Sequence, residues 1–133
     1  MLWFGFRVYA SEIEVVDGDS IHWRRGGWGD GQKEGTRKFR LAGYDSPEMG
    51  ERAKSALEAE WAHEAKAFLE GAISQAGKLR IKAAGRTPRN EEVGILYIDG
   101  VDAKDVMVKA GMGVVPEWRD GRMIRPKWEE MRG

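Results

Sequence analysis

Arg37-Lys38-Phe39-Arg40-Leu41-Ala42-Gly43-Tyr44-Asp45-Ser46-Pro47-Glu48 decides how the rest of the chain is read. Phe39, Leu41 and Gly43 alternate with Arg40, Ala42 and Tyr44, the period of a half-buried strand. Asp45-Ser46-Pro47 breaks that strand, because proline offers no amide hydrogen and pushes its predecessor toward extended geometry. Glu48 is thereby held just past a stiff corner, a short step from Asp45. Upstream, Val15-Val16-Asp17-Gly18-Asp19-Ser20-Ile21 has a similar layout, with an Asp17-Gly18-Asp19 turn signal between two strands. Two acidic turns beside a strand arginine are a combination suited to holding a hard cation and a phosphate together.

Working outward, residues 3 to 16 read as a long first strand and Ser20 to Arg24 as a second. The run Gly26 to Gly31 looks like a mobile hairpin tip, and Thr36 to Tyr44 is the third strand. Leu57, Trp61, Ala65, Phe68, Leu69, Ala72 and Ile73 recur at spacings of three and four, which predicts an amphipathic helix over 53–74. Its outer face would carry Glu58, Glu60, Lys66 and Glu70. Lys78 to Lys82 alternates as a fourth strand, Gly85 to Asn90 is a polar loop, and Val93 to Ile98 is a fifth strand. Asp102 is placed to cap a second short helix that ends before Gly111. The tail with Trp118 and Trp128 has no clear period. Strands followed by a helix, then strands and a helix, predict an α+β, mainly β fold. The expectation is a five-stranded Greek-key barrel of the OB type with two to three packed helices, an architecture that commonly binds oligonucleotides.

The 133 residues show no shift in composition, so one domain over 1–133 is expected. There is no cysteine, which excludes thiol catalysis, zinc-thiolate sites and disulfides. Lys and Arg number 22, as do Asp and Glu, so the formal net charge is zero. Duplex binding by charge alone calls for a basic protein, so a polyphosphate substrate here would need a metal ion to supply part of the positive field. No apolar run approaches the roughly 20 residues of a membrane span, and Met1 to Arg7 does not read as a signal peptide. The chain as it stands reads as soluble, without a membrane partner and monomeric, although a trimmed N-terminus would leave room for an exported protein.

These motifs together resemble the staphylococcal nuclease (thermonuclease) family over roughly residues 12 to 115. Val15 to Ile21 matches that family's Val-x-Asp-Gly-Asp-Thr/Ser-Ile turn. Arg40 to Glu48 matches its Arg-Leu-x-Gly-x-Asp-Thr/Ser/Ala-Pro-Glu segment almost residue for residue. Arg52 to Glu58 and the helix after it look like bacterial members. Tyr97-Ile98-Asp99-Gly100, with Val106 to Gly111, resembles the family's last strand and second helix. The resemblance implies calcium-dependent (Ca2+) hydrolysis of phosphodiester bonds in DNA and RNA, with single-stranded or unstructured substrate preferred. Carried over by position, Asp19 and Asp45 would bind Ca2+ with the backbone carbonyl of Ser46. Glu48 would be the general base, and Arg40 would hold the phosphate and stabilise the transition state. Asp17 reads as a turn residue or a support behind the ligands. Calcium accepts such an oxygen set, and a guanidinium matches phosphate oxygens with paired donors.

One position departs from the pattern. The family's second catalytic arginine, in Asp-Arg-Tyr-Gly-Arg-x-Leu-Ala, falls on Glu91 when counted back from Asp99-Gly100. Arg89, two residues upstream, is the candidate stand-in, because an extended backbone would place both side chains on one face, with Arg86 in the same loop as the other. A missing transition-state donor costs on the order of 10²–10³ in rate. The rival to an active nuclease is therefore a catalytically weakened, nuclease-like module that binds nucleic acid. Taken singly, Asp17-Gly18-Asp19 is more often a solvated turn, and Arg40 more often a partner of a nearby carboxylate. His22 and His63 read as surface residues, Trp61 and Phe68 as core. Trp28 and Trp118 are candidates to stack on bases, and Trp118 is carried forward as a substrate-binding residue.

Overall fold

The computed structural model describes residues 5–25, 35–48, 53, 55–124, 126 and 128. The expected glycine-rich tip, Trp28 and Arg52 lie outside them. The long first strand is in fact two, β1 (Phe6–Val8) and β2 (Ile13–Asp17), parted by a 3-10 turn at Ala10–Glu12. Glu12 explains the break: its Oε1 accepts the Tyr9 amide at 3.1 Å and Trp23 Nε1 at 3.3 Å, which anchors the turn against the sheet. Next come β3 (Ser20–Arg25), β4 (Gly35–Leu41), helix α1 (Ala56–Ser74), β5 (Leu79–Arg86) and β6 (Glu92–Ile98). A two-residue strand β7 (Val101–Asp102), helix α2 (Ala103–Lys109) and a hairpin of β8 (Glu117–Arg119) with β9 (Arg122–Ile124) complete the described chain.

The main sheet runs β1-β5-β6-β4-β3-β2, with β7 added to β6; β4 and β6 are parallel and the other pairs antiparallel. Consecutive strands β1 and β2 thus lie at opposite ends of the path. Laid flat, six strands would separate those edges by about 24 Å. The chain from Val8 to Ile13 reaches at most about 17 Å. The sheet must curl, and its concave side holds Val8, Ile21, Trp23, Phe39, Leu41, Ile81 and Leu96, all buried. Helix α1 covers part of this core with Trp61, Ala62, Ala65, Leu69 and Ile73. The result is a curled mixed sheet with two helices, an OB-type α+β fold. Its strand count rises from the expected five to nine among the described residues, because the first strand splits, β7 forms ahead of α2 and the tail adds a hairpin.

Ser55 caps α1 by accepting the Glu58 amide at 3.1 Å, and Asp102 caps α2 through the Lys104 amide at 2.9 Å. Two assignments change. Phe68, expected in the core, is 39% exposed, because the helix meets the sheet along the Trp61–Ala65–Leu69 stripe and Phe68 lies beside it. Glu58, expected on the outer face, is almost wholly buried. Trp128 is also buried, edge-on to Trp61 with ring centroids 4.9 Å apart, which ties the tail to α1. No helix among the described residues is long and apolar enough to cross a membrane.

Candidate active site

Strands β3 and β4 bring the two acidic segments together. Their register sets Ser20 opposite Arg40, and the Leu41 amide donates to the Asp19 carbonyl at 2.7 Å. The Tyr44 hydroxyl donates to the Gly18 carbonyl at 2.6 Å, locking the corner after β4 onto the turn after β2. That hydroxyl stays a neutral donor, since burial, followed by the charges of Asp19 and Asp17, pushes its pKa well up. Glycine is required at 18: a Cβ there would stand 2.8 Å from Ser46 Cβ and 2.9 Å from Ala65 Cβ. Within the turn, Asp17 Oδ1 accepts the Asp19 amide at 3.0 Å.

Asp19 and Asp45 end up on either side of one guanidinium. Arg40 Nη2 lies 3.6 Å from Asp19 Oδ2 and 3.5 Å from Asp45 Oδ1. Both carboxyl groups are buried, whereas the arginine is part-exposed. The Ser46 amide donates to Asp19 Oδ2 at 3.3 Å. Asp45 is fixed by a two-bond bridge with Val114, at 2.8 and 2.9 Å. Burial pushes the Asp19 carboxyl well above the usual carboxylate range; the hydrogen bond and charge of Asp17 and the charge of Asp45 add to this, against Arg40. Burial works against the Arg40 charge, but Asp19, Asp45, Glu91 and Glu48 outweigh it and raise its pKa. The three sequence-expected acids, Asp19, Asp45 and Glu48, therefore all lie within electrostatic reach of Arg40.

The donor set fits a hard divalent cation. It is made of oxygens, it carries more negative than positive charge, and Asp19 is short of compensation for its ionised form. Ser46 Oγ is buried beside it with no hydrogen-bond partner among the described residues. Among the described residues no cluster of three His, Cys, Asp or Glu side chains forms a cage, so carbonyl and water oxygens would complete the six to eight ligands calcium takes.

Sequence reasoning missed Glu58. From the first turn of α1 its Oε2 accepts the Glu48 amide at 2.8 Å, so a buried carboxylate holds the backbone of the candidate base. The signal was present, since 58, 61, 62, 65 and 69 make one helical stripe, but its charge argued for the surface.

An open groove of about 530 Å³ runs from this corner over the outer face of β3 and β4. Its lining includes Ser20, His22, Lys38 and Arg40 on the strands, with Arg86 and Glu91 on the far wall. The loop between β5 and β6 is a turn: the Asn90 amide donates to the Thr87 carbonyl at 2.8 Å, and Asn90 has φ 66°. The extended backbone that would set Arg89 and Glu91 on one face is absent. Arg86 borders the groove, while Arg89 sits exposed in the turn and is not among its lining residues. Trp118 is 66% exposed on β8, four residues after Val114, which bridges Asp45.

Among curated proteins none matches this chain. A family model described as staphylococcal nuclease homologue matches residues 38–130, well over half of the sequence, and takes in Arg40, Asp45, Ser46, Glu48 and Glu91. The turn bearing Asp19 lies outside that match, yet the β3–β4 pairing delivers it to the same corner. By fold and by sequence, the chain belongs to the staphylococcal nuclease homologue family.

Proposed function

We propose that the protein is a Ca2+-dependent phosphodiesterase that cleaves DNA and RNA, preferring single-stranded or unstructured substrate. The observation that carries this reading is Arg40, set between two buried aspartates at the end of a groove. Asp19, Asp45 and the Ser46 carbonyl would hold Ca2+, which when bound polarises phosphoryl oxygens. Arg40 offers paired donors to the phosphate and meets the charge that grows in the transition state. Glu48 takes a proton from the attacking water as the water oxygen bonds to phosphorus. The P–O bond to the leaving sugar oxygen breaks, and that oxygen departs as an alcohol after taking a proton from solvent water, while Glu48 returns its own proton to solvent. Glu58 keeps Glu48 in place for this step. Arg86, on the groove wall, is the better-placed second cation; Arg89 would have to swing in from the turn. Trp118 would stack on a base at the rim.

Glu91 favours a second reading, a nucleic-acid-binding module with little turnover, because it sets an acidic group where Arg40 feels its charge. Incubation with heat-denatured DNA in Ca2+ and in EGTA separates the two. Fragmentation in Ca2+ alone, abolished by Arg40→Ala, supports the enzyme. Binding without fragmentation supports the module, and neither binding nor fragmentation removes both.

A further inference from the structure

Away from the groove, the outer face of β1, β5 and β6 gathers positive charge. Arg7 stands opposite Arg80, and Arg80 opposite Tyr97. Lys78, Arg80 and Lys82 follow at two-residue spacing and share that face, while Leu79 and Ile81 between them are buried. Among the described residues, none of these four cations has a carboxylate within ion-pair distance. The nearby acids are otherwise engaged. Asp99 Oδ1 accepts the Gly77 and Lys78 amides, and Asp102 Oδ1 caps α2. Like charges directly opposite on paired strands destabilise a sheet. In a chain with as many acids as bases, such clustering fits a polyanionic ligand better than chance placement.

The face also has shape. Lys78, Arg80, Tyr97 and Gly100 line a hollow of about 340 Å³. An aromatic ring flanked by an ammonium and a guanidinium suits a base with phosphates on either side. The hollow continues the direction of the groove: on β6, Val93 is level with Arg40, and Tyr97 lies four residues on, about 13 Å along the strand. At about 3.4 Å per stacked nucleotide that distance is about four nucleotides, within the roughly 4 to 16 that one OB-type fold contacts.

We propose that this face is a second contact surface for single-stranded nucleic acid, with a base on Tyr97 and flanking phosphates on Lys78, Arg80, Lys82 and Arg7. It extends the substrate track beyond the cleavage corner, and in that respect rests on the nuclease reading above. The test is fluorescence anisotropy in EGTA across a salt series, with an oligothymidylate of about 16 nucleotides and with a thymidine dinucleotide, too short to span from the corner to Tyr97. Lys78→Gln/Arg80→Gln/Lys82→Gln should bind the long probe at least tenfold more weakly. Its slope of log affinity against log salt should fall by about 2, as expected for three lost phosphate contacts on a single strand. Binding of the short probe, and its cleavage in Ca2+, should not change. Tyr97→Leu keeps every charge and should weaken the long probe about tenfold with the slope intact.

An unchanged long-probe affinity and slope in the triple variant overturns the surface, as does equal weakening of both probes. Binding of phosphatidylserine vesicles that the triple variant loses, with no loss for the long probe, assigns the face to a membrane and also overturns it. If wild type cuts nothing yet long-probe binding depends on the face, the nuclease reading falls and the surface stands. If wild type cuts DNA and the triple variant binds as wild type does, the reverse holds.

Discussion

At the scale of single residues, the site depends on which charges face Arg40. Glu48→Gln keeps the volume and removes the base, so kcat should fall about 10²–10⁴-fold while substrate binding changes little. Equal losses in both would make Glu48 a ligand or a structural residue instead. Glu58 reports on the same step from one bond further away. Glu58→Gln retains an oxygen acceptor for the Glu48 amide and should cost little, whereas Glu58→Leu should lower kcat at nearly constant KM. Similar kcat values in the two variants would remove the positioning role. Glu91→Arg deletes an acidic neighbour of Arg40 and restores a donor, so turnover should rise tenfold or more, toward the 10²–10³ such donors contribute. If it does not, the β5–β6 loop takes no part in chemistry. Asp19, Arg40, Asp45 and Glu48 could be found in sequence because each is tied to a turn or corner with its own grammar. For Glu58 the helical stripe carried a signal of burial but not of its role, because its partner is a backbone amide ten residues away that only the fold brings near.

At the scale of elements, the join between β4 and β6 is the one to test, since it is the parallel pairing of the sheet and spans only Phe39 to Leu41. Arg37 clamps it through a two-pronged pair, Nε and Nη2 on the two oxygens of Glu92. Hydrogen bonding to Arg37 holds the Glu92 carboxyl below its ordinary value near 4.5. A lowered folded-state pKa contributes stability above that ordinary value and loses it as pH falls through the folded one. Glu92→Gln should therefore cost about 1–2 kcal/mol at neutral pH by urea denaturation. The gap to wild type should shrink as pH falls below that ordinary value and through the folded one; a gap unchanged in acid would mean the pair acts through packing. Element type was legible wherever periodicity was strong, as in α1 and β6. The split of the first strand left only a faint mark, a change of phase between Val8 and Ile13, which are five residues apart where one strand face keeps even spacing. What divides it is Glu12, whose bonds to Trp23 and Arg25 exist only once β3 is alongside. The β5–β6 loop misled for a similar reason, since Asn90 takes a left-handed backbone that closes a turn where extension was expected.

At the scale of the whole molecule, the fold sets an electrostatic cost against a function. The curl of the sheet buries Asp19 and Asp45 near a single guanidinium, and burial disfavours the ionised form of Asp19. The zero net charge called for a cation only on the condition of a polyphosphate substrate, and gave no sign of where uncompensated charge would sit. The charge segregation onto β1, β5 and β6 was likewise hidden, because Arg7 and Arg80 are far apart in sequence and meet only through the pairing of β1 with β5. Two opposite shifts in melting temperature follow from the buried aspartates. In a chelator, Asp19→Asn should melt above wild type, because a neutral amide keeps an acceptor for the Ser46 amide without a buried charge. With Ca2+ near a hundredfold above its dissociation constant, wild type should gain roughly 5–15 °C, as a ligand bound only to the native state requires. The Asn variant should gain far less, so the order of the two melting curves should reverse. A wild-type curve that Ca2+ leaves in place, with a nucleotide bisphosphate also present, would remove the metal site. A chelator curve in which Asp19→Asn melts well below wild type would show that the carboxylate, paired with Arg40, is a net stabiliser of the fold.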